Sequence, residues 1–592
     1  MKLNSTRKGY YEVHVDGKKQ SKHTSVTEVI AKGFELKSNN LGAEVRIKQP
    51  DLLIDVELSD NIEELKDRIR ELEEKEQIYL EIIENLENCV DETTEEEDVE
   101  EEVEEAPPVG LKAFPTAIGA GANATGGRGG QVIHVTTLDW DAAGGLKEAI
   151  QTQGARTIVF DVSGEIDATQ EGAFEQIITG SDYDNITIAG QTAPAGGITI
   201  LTSEFSFWDV SNIIIRHLRF RATGERLPGG NWGFGRDALT LNGGQGMILD
   251  HCTISYGTDE AFDLGSGFGR TVDVTIPMGD ITVQNCFMQN SKTGLILGTA
   301  WATDDGVGGL PGDFTFVNNC FSGISHRFPN PKGSGQFDIV NNVVYNWRYR
   351  LIRITNNGTS NVVNNYYKPS DEGLRKVSLF GTGSLNIRAH KLQAIVGVNP
   401  LIYTAGNIIE GDNATPRADD RETWEIFEGS DIPEAVYLTD DNGKEHLTRA
   451  NVPDRYFTET QFPLKGHTFP IQSADDAFTE LIANGNLGAY KTLNADGSVN
   501  VFRDSKDTAD LLMIQNDTFI SPDGSAFYYP YNADGYPTIA ENTRPAGFYN
   551  AAKDEHIPEV WFDANVPNGE THNTISDDGH YTWLERYLNQ VD

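Results

Sequence analysis

One short pattern recurs along the middle of the chain and limits the fold more than any other feature. It reads IIIRHLRF around His217, MILDHCTI around His251, ITVQNCFM around Asn285, FTFVNNCFS around Asn319, DIVNNVVYN around Asn342 and NVVNNYYK around Asn365, with spacings of 34, 34, 34, 23 and 23 positions. A motif at such a period marks a repeat architecture, in which each unit buries its apolar face only against its neighbours. Each unit holds a strand, a polar bend and a second strand, with too few residues for a covering helix pair. An all-β parallel β-helix accounts for this: stacked turns give every strand two partners, and bend asparagines bond to the turns above and below as a ladder. Cys252, Cys286 and Cys320 take the same place in consecutive units, followed by Val343 and Tyr366. They are expected as one interior column of free thiols rather than a metal site, because cysteine is among the most buried residue types. The longer turns need extra loop, which in a solenoid gathers on one face, often the binding face.

The repeat occupies only part of the 592 residues. Residues 1–60 read as a small α+β module: strand alternation over Tyr10 to Val15, a turn at Asp16-Gly17, helical spacing from Ser25 to Leu36 opened by a capping box at Ser25 and Glu28, and extended segments from Glu44 to Leu58. Over 61–90 the period becomes seven, with Ile62, Ile69, Ile83 and Val90 on one heptad position and Leu65, Leu72, Tyr79 and Leu86 on the other. A helix with so narrow an apolar seam needs a partner helix, so a coiled coil and a homo-oligomer are expected, the alternative being a lone amphipathic helix. Residues 91–109 are an acidic run closed by Pro107-Pro108, expected as a disordered linker. The repeat body is placed at 110–370, and 371–592 as loops and a cap, since solenoid ends need covering.

The formal net charge of -43 argues against a nucleic-acid partner, which needs a basic face. Four cysteines in such a chain make no disulfide framework. The N-terminus lacks the apolar core of a signal peptide, and no run approaches a membrane span.

The densest candidate chemistry lies at Asp250 to Asp263, DHCTISYGTDEAFD. Asp259 and Asp263, four residues apart, with Asp237 from the preceding segment, offer oxygen ligands suited to a hard cation such as Ca2+. A solvated acidic turn is the competing explanation. Asp250-His251 invites an acid–base assignment, but its place at the repeat's bend favours a structural role.

Several motifs in order resemble the pectate lyases of polysaccharide lyase family one: TGGRGG (Thr125 to Gly130), TIVFDVSGEI (Thr157 to Ile166), ITIAGQTAPAGGI (Ile186 to Ile198), IIIRHLRFR, the DH of ILDHC, and the ending HYTWLERYLN (His580 to Asn589). The resemblance implies a right-handed parallel β-helix and a calcium-dependent lyase. By motif, Asp237, Asp259 and Asp263 correspond to calcium carboxylates, with Glu260 a nearby substitute. Lys292 corresponds to a lysine gripping the substrate uronate, and Arg327 to the base. The family's Arg-x-Pro-x-x-Arg stands here as Arg327, Pro329 and Lys332. A lysine keeps the charge but loses bidentate carboxylate recognition. Arg348, Arg350 and Arg353 could line a polyanion groove or face solvent. The acidic positions of Asp554 to Asn565 are too depleted to suggest a second metal.

The implied chemistry is β-elimination on polygalacturonate: loss of a proton next to the uronate carboxylate builds negative charge, which a cation and Lys292 are placed to stabilise. Arg327 can act as the base only if neighbouring positive charge lowers its pKa. A lyase for methylated pectin or another uronate polymer, and a non-catalytic glycan-binding adhesin, are the alternatives. A small module on a coiled coil ahead of a β-helix resembles the layout of phage tail spikes, and residues 1–58 resemble small modules of phage structural proteins. That implies a virion-borne or otherwise extracellular depolymerase, a trimer in the tail-spike arrangement, against a non-classically secreted enzyme.

Overall fold

In the computed structural model the described residues are the strands at 11–15, 18–23, 45–49 and 54–57, and 110–592 apart from 170–176, 223–236, 266–277, 299–311, 348–349, 370–389, 394–399, 411–419, 428–431, 434–436, 440–444, 448–451 and 519–537. The chain forms two units, Met1–Ala106 and Pro107–Asp592. The first contains an antiparallel sheet of β1 (Tyr11–Val15), β2 (Lys18–His23), β3 (Val45–Gln49) and β4 (Ile54–Glu57), ordered β2-β1-β3-β4. β1 and β2, on either side of the turn signal Asp16-Gly17, pair antiparallel. The expected helix at Ser25 to Leu36, the coiled coil at 61–90 and the acidic linker at 91–109 lie outside the described residues.

The second unit is a parallel β-helix. Two long sheets, of ten and seventeen strands, carry the coils, and nearly all of their pairings are parallel. Ile213 pairs with Met247, Met247 with Ile281, Ile281 with Phe314, and Phe314 with Phe337. These apolar side chains fill the interior, because alternate residues of a strand face one side. The ladder runs past Lys368, where the sequence repeat fades: Leu401–Ala405 and Trp424–Ile426 continue the larger sheet and Ile408–Ile409 the smaller.

The bend contains two columns where the sequence suggests one. His217, His251, Asn285, Asn318, Asn341 and Asn364 all have φ between 50° and 56°, the left-handed conformation that Asn and His tolerate better than bulky residues. One position on is the amide ladder. The side-chain Oδ1 of Asn319 accepts from the Cys286 N–H at 2.8 Å, that of Asn342 from the Asn319 N–H at 2.9 Å, and that of Asn365 from the Asn342 N–H at 2.9 Å. Asn407 and Asp420 extend it.

The single cysteine column is corrected by the same register. Cys286 lies opposite Asn319, and Phe287 pairs with Cys320, because the turn between them is one residue shorter than the letters suggest. A one-residue slip exchanges the faces of a strand. Cys252 and Cys286 therefore point into the main core, whereas Cys320 points outward with Phe287 and Val343. All three thiols are free and buried.

That outer face is covered by the C-terminal region. Leu481, Ile482, Leu487, Leu511 and Ile514 pack on Cys320 and Val343. The helix Ser505–Asn516 also presents Asp507 to Arg221 (2.9 Å), Thr253 (2.9 Å) and Gln289 (2.7 Å), so the carboxylate enters the protein fully paired. Near the chain's end a capping box at Thr582 and Glu585 starts the helix Trp583–Leu588, and Glu585 also binds Arg128 of the TGGRGG motif at 2.6 Å.

Candidate active site

The outward residues of the larger sheet form a cleft of about 370 Å³. Register explains its composition. Asp263 pairs with Thr240 on the coil before and with Ile296 on the coil after; Ile296 pairs with Asn330, and Lys332 with Thr355. Residues far apart in sequence thus stand side by side at the 4.7–4.9 Å strand spacing. Asp237, Asp259, Asp263, Glu260, Arg327 and Lys332 all line this one cleft. Lys292 sits at its rim, bound to Asp259 at 3.0 Å.

The carboxylates occupy one side. Asp263 is 8% exposed, and its Oδ1 has no hydrogen-bond partner among the described residues. Burial raises its pKa, and the neighbouring Asp237 and Glu204 raise it further. Asp237 is pushed up to about 7, by burial first and Asp259 second. Its Oδ1 accepts from the Glu260 backbone N–H at 2.8 Å, which fixes its aim. An orphaned carboxylate oxygen beside another carboxylate that resists ionisation lacks only positive charge, and an all-oxygen donor set suits a hard cation. The residue types fit such an ion and Asp237, Asp259 and Asp263 would hold it, but their ligand atoms do not all converge within 4.8 Å of one another in this structure, where Lys292 pairs with Asp259. Glu260 is otherwise engaged: its carboxylate forms an ion pair with the Arg327 guanidinium.

The cations occupy the other side. Arg327 has φ 73°, a left-handed backbone that non-glycine residues adopt at a cost and that clusters at functional sites. Gly294 makes room for it: Leu295 N–H donates to the Arg327 carbonyl at 2.9 Å, and a Cβ on Gly294 would stand 2.0 Å from that oxygen. Burial lowers the Arg327 pKa, opposed by Asp259 and Asp237. Lys332 is lowered to about 8 by burial and by Arg353. Arg353, lowered to about 10 by burial, lines the cleft, and both it and Arg350 stack over Phe427. Arg348 lies outside the described residues.

Asp250 and His251 stand apart from the cleft. Arg216 at 2.8 Å, His251 at 2.8 Å, Gln284 at 3.0 Å and Asn285 at 3.2 Å surround the Asp250 carboxylate. Burial opposes its charge, yet His251 and Arg216 hold its pKa well below the usual carboxylate range. Among the described residues, His217, Asp250 and His251 are the group of potential metal ligands converging within 4.8 Å. The committed carboxylate and the adjacent Arg216 charge disfavour a cation there, so the role is structural.

Sequence reasoning missed Glu204, Trp208 and Asn330, which also line the cleft. The repeat could have located one of them: Trp208 pairs with Asn242, 34 positions on, in the coil that carries Asp237.

Comparison with known proteins finds similarity to pectate lyases. Probable pectate lyase C of Aspergillus flavus is 32% identical over 284 residues, 47% of this chain and 59% of that protein. The Emericella nidulans protein of the same name is 31% identical over 303 residues, covering 47% and 64%. The match thus spans about three-fifths of the length of these relatives. A solved mutant of the Bacillus subtilis pectate lyase superposes with a TM-score of 0.41 at 14% identity, covering 65% of this chain and 99% of that one. Residues 110–384, which contain every carboxylate and cation of the cleft described above, match the pectate lyase family.

Proposed function

We propose that the second unit is a calcium-dependent lyase that cleaves polygalacturonate-type polymers by β-elimination. The observation that carries this is the division of one cleft into under-neutralised carboxylates with raised pKa values (Asp237, Asp263) and cations with lowered pKa values (Arg327, Lys332). Asp237, Asp259 and Asp263 would hold Ca2+, which when bound supplies positive charge to the uronate carboxylate and acidifies the neighbouring C–H. Lys332, Arg353 and Lys292 bind and orient substrate carboxylates. Arg327 is the base and takes the proton; the C–H electron pair forms the C=C bond of an unsaturated uronate as the C–O bond breaks, and the departing glycosidic oxygen takes a proton from water.

Glu260 governs Arg327. While the two are paired the guanidinium keeps its proton, because a hydrogen-bonded counter-charge favours the ionised form. Exchange of Glu260 away from Arg327 removes that support, leaving burial, which lowers the pKa, opposed by the charges of Asp259 and Asp237. The decisive assay is absorbance of the unsaturated product with polygalacturonate, with and without chelator. One observation favours a binding-only adhesin, the same Glu260–Arg327 pair: polymer retention without unsaturated product would replace the lyase by that reading. The heptads at 61–90 ahead of a β-helix support an oligomeric, virion-borne depolymerase of tail-spike type, tested by detecting the protein in purified particles and by its mass in solution.

A further inference from the structure

Asn330 is only 2% exposed, lines the cleft, and has no hydrogen-bond partner for Oδ1 or for Nδ2 among the described residues. Native proteins rarely bury an amide with both ends unpaired, and each such group calls for a physical reason. Backbone geometry supplies none: Asn330 lies in the extended strand Asn330–Val340, away from the left-handed bends and the amide ladder where asparagine is otherwise used. On the coil before, its neighbour is Ile296, whose side chain can donate and accept nothing.

We propose that Asn330 is a specificity-determining residue, reading an unsubstituted ring hydroxyl of the uronate polymer; this rests on the substrate class proposed above. Lys332 is two positions along the same face, and Arg353 lines the same cleft, so a carboxylate has its cations close by. The amide Oδ1 cannot face that carboxylate, since two acceptors repel. It requires an O–H. A sugar hydroxyl is both donor and acceptor and satisfies an amide that offers one of each. A hydroxyl blocked by an acetyl ester has no proton to give and adds bulk at a buried position. The cleft therefore selects uronate polymers with free ring hydroxyls and rejects O-acetylated ones.

The test compares wild type with Asn330→Leu and Asn330→Ala on polygalacturonate and on its O-acetylated form, reading KM, kcat and Tm. Asn330→Leu keeps the branched shape and removes both polar ends, so Tm is expected to hold or rise while KM for polygalacturonate rises by about tenfold or more. Asn330→Ala is expected to narrow the preference for the unacetylated polymer by about tenfold. An unchanged KM with a lower Tm, or an acetyl preference unchanged in Asn330→Ala, overturns the proposal and makes Asn330 a structural residue. Should wild type bind the polymer without cleaving it, the lyase reading fails while affinity electrophoresis still decides this one: retention lost in Asn330→Leu supports it, and equal retention overturns it. Absence of polymer binding in wild type overturns both.

Discussion

The bend and the cleft are built on the same coils, yet they treat buried polar groups in opposite ways. In the ladder each asparagine is satisfied: Asn342 accepts from Asn319 N–H, and its Nδ2 donates to the Phe316 carbonyl at 2.9 Å and to Asn365 at 3.0 Å. In the cleft Asp263 Oδ1, Arg327 Nε and both polar ends of Asn330 have no partner among the described residues. An unpaired buried group costs about 1–3 kcal/mol. The difference separates polar residues that stabilise the fold from those that await a ligand, and substitutions on the two sides should fail in opposite ways.

The largest effect is expected from Asp259→Asn combined with Asp263→Asn. Turnover should fall by about a thousandfold or more, since charge stabilisation in the transition state is the dominant catalytic contribution. Stability should move the other way. Asp263 has a folded pKa above its unfolded value, so the native state binds more protons and loses stability as pH rises from the unfolded pKa toward the folded one. Asparagine cannot ionise and removes that penalty. Thermal unfolding at neutral to alkaline pH without added calcium should therefore give a Tm at or above wild type; a clear drop would show that the carboxylates are structural. Gly294→Ala comes next. Its Cβ must push against the Arg327 carbonyl, and a displacement of an ångström at a base costs about a hundredfold in kcat. Unchanged kcat would remove Arg327 from the chemistry.

Third is the pH profile of kcat/KM, which should rise from about pH 6 and bend over at alkaline pH. Asp237 ionises as pH passes about 7, which completes the cation site, and the lowered Arg327 pKa increases the neutral base with each unit. Lys332 opposes them: its pKa of about 8 means that its charge, present below that value, is lost above it, weakening carboxylate binding. Lys332→Arg restores a charge that persists, together with bidentate geometry, so the alkaline limit should move upward by about one unit. An unshifted limit would exclude Lys332 from substrate binding.

This contrast also explains what the sequence conveyed and what it concealed. Strand, bend and strand recur locally, so the β-helix and the bend were legible, and the paired acids at Asp259 and Asp263 could be recognised with Asp237 by motif. The short turn before Cys320 was not. Asn285-Cys286 and Asn319-Cys320 carry the same letters, while the backbone pairs Cys286 with Asn319, and only the hydrogen bonds reveal the slip. Asn330 and Glu204 were hidden for a related reason. Nothing local marks an asparagine as unpaired; that property arises when Ile296 becomes its neighbour on the coil before.

The smallest effect on turnover, and the sharpest contrast, is expected at Asn342→Ala. The substitution strands the Asn319 backbone N–H and the Phe316 carbonyl inside the coil, for a loss of about 2–4 kcal/mol of stability. Among the described residues none of the hydrogen-bond partners of Asn342 lines the cleft, so kcat at a temperature where the variant is folded should match wild type. Cys286 shows how far the ladder can be degraded. Its Sγ accepts from the Cys252 N–H at 3.4 Å, in the position an amide oxygen takes on later coils. Sulfur is the weaker acceptor, so Cys286→Ala should cost less than Asn342→Ala, even though both remove one rung. Equal losses in denaturant unfolding would mean that packing, rather than the ladder's hydrogen bonds, holds the bend together.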